Sequence, residues 1–119
     1  TEQARRHRLQ VITHSCGSVH LVIDRLIDAG VQCLHPLQAK AFGMDAETLV
    51  RDFGGRIAFL GGIDTQELLV KGTPEEIRRE VRRLKKVFGH SWIASPSHEA
   101  LLPDIPPRNV VAMAEAVLE

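Results

Sequence analysis

Short apolar runs and longer amphipathic stretches alternate along this chain. Leu9-Gln10-Val11-Ile12-Thr13 is β-branched and largely apolar, which predicts a strand of the kind covered on both faces in a parallel sheet. Gly17 and Ser18 interrupt it. Val19, Val22, Ile23, Leu26 and Ile27 then recur at three- and four-residue spacing, the stripe of an amphipathic helix closed by Ala29-Gly30. The alternation repeats three more times. Val31-Gln32-Cys33-Leu34-His35 predicts a second strand ended by Pro36, and Asp45 caps a helix carrying Leu49, Val50 and Phe53 before Gly54-Gly55. Ile57-Ala58-Phe59-Leu60 predicts a third strand, with a tight turn at Gly61-Gly62. The next helix has the sharpest start: Thr73 as cap, Pro74 at the first helical position and Glu76 completing a capping box. Ile77, Val81, Leu84 and Phe88 form its inner stripe, and it stops at Gly89. Trp92-Ile93-Ala94 predicts the fourth strand. The last helix starts near Pro106-Pro107 and carries Val110, Val111, Ala114, Val117 and Leu118.

Four βα units in a row predict an α/β fold with a parallel sheet and right-handed crossovers. A complete (β/α)8 TIM barrel needs about 200 residues or more, so 119 residues make half of one. A half barrel leaves two unpaired strand edges, which soluble proteins avoid. The expected partner is therefore a missing amino-terminal half or a second chain. A self-contained four-stranded open sheet is the simpler alternative. Thr1 at the start, in place of methionine, suggests a processed, excised or incompletely represented chain.

Composition narrows the partners. The chain is 44% hydrophobic and 25% charged, enough for one core, with 15 basic and 15 acidic side chains. That balance gives no reason to expect nucleic acid or an anionic membrane. No run approaches the roughly 18 apolar residues of a spanning helix. Cys16 and Cys33 alone make a disulfide framework unexpected and a reducing cytoplasm the default. Arg5, Arg6 and Arg8 mark residues 1–8 as a linker or the end of a preceding helix.

In either architecture, ligands gather at the carboxyl ends of the strands. The first such end carries Thr13-His14-Ser15-Cys16-Gly17, where extended backbone puts His14 and Cys16 on one side of the chain. The second offers His35, Gln38 and Lys40, the third Gly61, Gly62 and Asp64, and the fourth Ser95, Ser97, His98 and Glu99. Imidazole, thiol and carboxylate thus meet at one rim.

His14-Ser15-Cys16-Gly17-Ser18, Asp28-Ala29-Gly30-Val31, Gly61-Gly62-Ile63-Asp64, Gly72-Thr73-Pro74-Glu75-Glu76 and Ser97-His98 through Pro103-Asp104-Ile105-Pro106-Pro107-Arg108-Asn109 occur in series. In that order and spacing the chain resembles the uroporphyrinogen decarboxylase superfamily, from about Leu9 to its end. The resemblance covers the carboxyl-terminal half of the family's barrel, making residues 1–119 that half. It implies an enzyme of one of two branches. Decarboxylases of porphyrin biosynthesis remove acetate carboxyl groups from a tetrapyrrole without metal or cofactor. For them the resemblance implies His98 and Asp64 as catalytic residues, with Gly61, Gly62 and His35 toward the substrate. The arginines and aspartate that hold the tetrapyrrole lie in the half this chain lacks. The other branch resembles the cobamide-dependent and thiol methyltransferases, which bind zinc through a His-x-Cys pair and a later cysteine. His14 and Cys16 match the pair. Pro96-Ser97-His98 stands near the third position, so the implied Zn2+ ligands are His14, Cys16 and His98, with a small thiol or a corrinoid methyl carrier as substrate. Zinc accepts imidazole nitrogen as well as thiolate sulfur. This second branch is the favoured expectation.

Each of these residues also has a structural reading. A His-x-Cys pair can be packing, Cys33 a small core residue, and Asp64 a cap for the segment after it. His35 can be a hydrogen-bonded structural residue, and His7, His20 and His90 read as surface or packing groups. Arg79, Arg82, Arg83, Lys85 and Lys86 read as a solvated face paired with Glu75, Glu76 and Glu80. A non-catalytic half-barrel scaffold is the alternative to an enzyme. The glycines of the third loop also permit a phosphate-binding half barrel, but no basic residue closely follows Gly62 to anchor one.

Overall fold

The computed structural model describes residues 2–119. β1 (Ile12–His14), β2 (Cys33–Leu37), β3 (Ala58–Ile63) and β4 (Trp92–Pro96) lie parallel and side by side in chain order. The helices are α1 (Glu2–Arg6), α2 (Ile23–Asp28), α3 (Ala46–Phe53), α4 (Leu68–Lys71), α5 (Pro74–Phe88) and α6 (Pro107–Leu118). A strand order that never reverses puts every right-handed crossover on the same face of the sheet. Ile23 of α2, Leu49 of α3, Ile77, Val81 and Leu84 of α5 and Ala112 of α6 accordingly share one core with Leu34 and Phe59 of the sheet. The arrangement is half of a (β/α)8 barrel. Its radius of gyration, 14.6 Å, exceeds the roughly 13.5 Å of a closed globule of this length, as an open half should.

The two sheet faces are distinguished by register. Thr13, Leu34, Phe59 and Trp92 form one cross-strand row. The Phe59 ring lies 5.2 Å from that of Phe88 in α5, so this row faces the helices. Side chains alternate along a strand, so the neighbouring rows, with Ile12, His14, His35, Leu60 and Ile93, face away from them. Ile12 and Ile93 are 56% and 50% exposed there. That is the face a closed barrel would enclose, and the histidines sit on it.

The helix signals are realised where capping is local. Thr73 Oγ1 accepts from the Glu76 amide and Glu76 Oε2 accepts from the Thr73 amide, closing the capping box of α5. Asp45 caps α3 through the Thr48 amide. The charged face of α5 is tied to other helices as well as to itself: Arg78 pairs with Glu115, Arg82 with Glu119, and Arg83 with both Glu80 and Glu47.

Several boundaries differ from expectation. β2 runs through Pro36 to Leu37, because a proline lacking an N–H still fits where the ladder shifts register between Leu34 and Leu37. β3 does not turn at Gly61-Gly62. It continues to Ile63, pairing Gly61 with Leu37 and Ala94, and Gly62 with Ser95. β1 is shorter than its apolar run, and α4 is an additional short helix. The inner face of α6 is Asn109, Ala112 and Ala116, while Val111 and Leu118 are exposed. Asn109 turns the helix that way: its Nδ2 donates to the Leu69 and Gly72 carbonyls, both at 2.9 Å, satisfying carbonyls at the end of α4.

Candidate functional site

His14 ends β1 and is the register partner of His35 in β2. The ladder extends one step further, with the Ser15 amide donating to the His35 carbonyl at 2.8 Å. Two imidazoles on adjacent parallel strands are thereby held side by side: their Nδ1 atoms are 3.2 Å apart and their ring centroids 5.1 Å apart. Glu99, in the loop after β4, brings Oε1 to 3.3 Å from His14 Nδ1. The His14, His35 and Glu99 ligand atoms lie within 4.8 Å of one another. On the other side of the same ring, Cys16 Sγ is 3.3 Å from His14 Nε2. Gln38 Oε1 accepts from the Gly17 amide at 2.9 Å and ties the Cys16 loop to the loop after β2. Cys16 is exposed, whereas Cys33 is buried and its thiol pKa is pushed up by that burial.

These separations suit a metal. Zinc bonds of about 2.3 Å to sulfur and 2.0–2.1 Å to nitrogen give tetrahedral edges of roughly 3.3–3.6 Å. Each contact around His14 falls within a few tenths of an ångström of such an edge. Zinc accepts each of these donor types, and the ring divides them into two groups, Cys16 on the Nε2 side and His35 with Glu99 on the Nδ1 side, of which one ion takes one.

His98 is placed differently. Its Nδ1 lies 2.7 Å from Thr65 Oγ1 and 3.0 Å from Ser97 Oγ, so this nitrogen is already in a hydroxyl cluster. Ser97 is only 1% exposed and also accepts from the Thr65 amide. His98 lines a cavity of about 220 Å³ together with Gln38, Lys40 and Asp64. It also lines one of about 480 Å³ together with Val70, Leu102 and Ile105. Thr65 carried no sequence signal, since a threonine between Asp64 and Gln66 reads as ordinary loop. Glu99 and Gln38 stood among the strand-end polar groups, but nothing in their spacing pairs them with His14 and Gly17.

Asp64 caps. Its oxygens accept from the Gln66, Glu67 and Leu68 amides at 3.0–3.1 Å, and Lys40 Nζ lies 3.3 Å away. Burial alone would raise its carboxyl pKa, but these amides and the ammonium outweigh it and hold the pKa below the ordinary 3.8. A depressed carboxylate contributes stability that is complete above its unfolded pKa and lost as pH falls through the folded one. Asp64→Asn should therefore keep most of the cap and flatten the stability profile on the acid side of pH 3.8. Asp64→Ala should cost about 1–2 kcal/mol near neutral pH in denaturant titrations. If Asp64→Asn abolished turnover while leaving stability intact, the carboxylate would have a chemical role beyond capping. Gly61 and Gly62 are buried within β3, where the Gly61 carbonyl accepts from Trp92 Nε1 at 2.9 Å.

No helix among the described residues is long and apolar enough to cross a membrane. In structure the chain is similar to a methyltransferase from Methanosarcina mazei, with a TM-score of 0.76 and 22% sequence identity. The match covers 98% of this chain and 33% of that one, so the chain spans about a third of that protein's length. At this identity the likeness shows the fold. No curated protein matches the chain. The family model for uroporphyrinogen decarboxylase (URO-D) matches residues 1–119, the whole sequence. The half barrel with its histidines at the strand ends therefore belongs to the uroporphyrinogen decarboxylase family.

Proposed function

We propose that this half barrel carries the metal-binding side of a zinc-dependent, methyltransferase-like enzyme that acts on a small thiol or a corrinoid methyl carrier. The observation that supports this most is the crowding of ligand atoms around His14: Cys16 at 3.3 Å on one side, His35 at 3.2 Å and Glu99 at 3.3 Å on the other. His14 would hold zinc either through Nε2 together with Cys16 or through Nδ1 together with His35 and Glu99. Zinc bound there supplies Lewis acidity that lowers a thiol's pKa and keeps it as the thiolate nucleophile.

The remaining work falls to the chain itself. The β1–β2 ladder fixes the two imidazoles, and Gln38 fixes the backbone next to Cys16. The site opens on the helix-free face, which a complementary half barrel would cover, excluding water from the thiolate. Lys40, 48% exposed beside the cavity, offers a cation for an anionic part of the substrate.

The test is to add zinc to the metal-free chain and record stoichiometry by native mass spectrometry, then to add a small thiol and follow proton release. One zinc per chain and release of the thiol proton near neutral pH are expected. Turnover of uroporphyrinogen by the metal-free chain would overturn the proposal in favour of decarboxylation. A folded chain that binds neither zinc nor tetrapyrrole would leave the scaffold reading.

A further inference from the structure

Three side chains at the rim form a cluster that the zinc reading does not use: Thr65, Ser97 and His98. We propose that the two hydroxyls fix His98 as the Nε2–H tautomer, making it a hydrogen-bond donor at the mouth and not a metal ligand. Its placement as a substrate-facing group rests on the functional reading above; the tautomer does not.

A neutral imidazole has one donor and one acceptor nitrogen. Nδ1 of His98 has two neighbours, Thr65 Oγ1 at 2.7 Å and Ser97 Oγ at 3.0 Å, and the hydroxyl proton of the buried Ser97 needs an acceptor within the protein. Ser97 is 1% exposed and already accepts from the Thr65 amide at 3.2 Å. The remaining contacts for its proton are Nδ1 and Thr65 Oγ1, the latter at 3.3 Å. With the Nδ1 lone pair as acceptor, the Ser97 hydroxyl donates to the nearer of its two contacts, Nδ1 at 3.0 Å and not Thr65 Oγ1 at 3.3 Å, and the Thr65 hydroxyl donates to Nδ1 at 2.7 Å. The 2.7 Å separation is also typical of an O–H donor, whereas N–H donors sit nearer 2.9–3.0 Å.

A metal-binding histidine usually shows the reverse pattern, its second nitrogen donating to a carboxylate or a backbone carbonyl. Nδ1 of His98 contacts neither among the described residues. The ring's proton therefore resides on Nε2, which has no hydrogen-bond partner among the described residues. That leaves it available to an oxygen acceptor entering either adjoining cavity. In this arrangement Thr65 and Ser97 are positioning residues, acting on a ligand through His98.

Long-range proton–nitrogen correlation spectra of the nitrogen-15-labelled chain, recorded at alkaline pH, read the tautomer directly. The expected wild-type pattern is a protonated Nε2 and an unprotonated Nδ1. Thr65→Val with Ser97→Ala should shift His98 toward a mixture of tautomers, and Thr65→Ser should restore the wild-type pattern. If the double variant fails to fold, the wild-type spectrum still decides. A wild-type His98 protonated at Nδ1 overturns the proposal, as would a zinc-induced shift of Nε2 to a ligand-bound position. A chain that binds no zinc, but whose His98 keeps Nε2–H, would sink the functional reading and leave this one standing.

Discussion

Gly61→Ala is expected to destabilise the chain by about 3–5 kcal/mol and to lower its urea midpoint sharply. Two costs add. Gly61 has φ of +121°, a conformation that alanine adopts only with strain. A Cβ there would lie 2.6 Å from the Leu37 backbone nitrogen and 3.4 Å from the Pro96 carbonyl oxygen, and neither is the end of a flexible side chain. The strands on both sides of β3 would have to move apart at the centre of the sheet, disturbing the Trp92 hydrogen bond to the Gly61 carbonyl. Against a total stability of order 5–15 kcal/mol, that is a large fraction. Gly55 is the control. Its φ of +75° is also positive, but nothing lies within 4 Å of the added methyl. Gly55→Ala should cost only the conformational term, about 1–2 kcal/mol. Urea midpoints for the two variants measure the difference, and equal shifts would show that the close approach to Leu37 is not what requires glycine.

That close approach also explains a misreading. From sequence, Gly61-Gly62 after an apolar strand is a turn, since glycine most often serves positive φ in turns. In the structure the same conformational freedom lets β3 pass tightly against β2 where the register shifts. The extra strand length depends on neighbours, which no local pattern encodes. The same holds for α6: Val111 and Leu118 fit an apolar stripe, but a buried asparagine bonded to the end of α4 sets which face turns inward. Signals that act within one turn or one strand were legible. The capping box at Thr73, the inner stripe of α5, the count of βα units and the core position of Cys33 follow from local chemistry and periodicity.

The rim was legible in part for the same reason. His14 and Cys16 are two residues apart, so their approach is a local consequence of extended backbone. His35 beside His14 follows only once the register of β1 on β2 is known, and register is set by the whole sheet. Glu99 and Thr65 depend on loop paths after β4 and β3, about which single-chain spacing says nothing. Asp64 carried two readings in sequence, cap and chemistry, and its three amide contacts show that it at least caps.

Removing His14 should have the largest effect on metal binding, because among the described residues it is the one ring with candidate ligands on both sides. Its nitrogens point apart, and a neutral imidazole offers a metal one lone pair. Zinc held by Nε2 shares the Cys16 edge; zinc held by Nδ1 shares the His35 and Glu99 edges. His14→Ala removes both arrangements, and zinc affinity should fall at least 100-fold, beyond the 10–100-fold typical of losing a mere supporting partner. Cys16→Ser separates the two. If the Nε2 edge is used, affinity falls at least tenfold and the thiolate charge-transfer band of the cobalt-substituted chain disappears, while Cys33→Ala leaves both unchanged because that thiol is buried in the core. If the Nδ1 edges are used, Cys16→Ser is mild and Glu99→Gln and His35→Ala carry the loss. The His-x-Cys resemblance favours the first arrangement, whereas the gathering of three ligand atoms within 4.8 Å of one another favours the second. Unchanged zinc affinity in His14→Ala would remove the metal centre altogether, since no other described side chain reaches both groups.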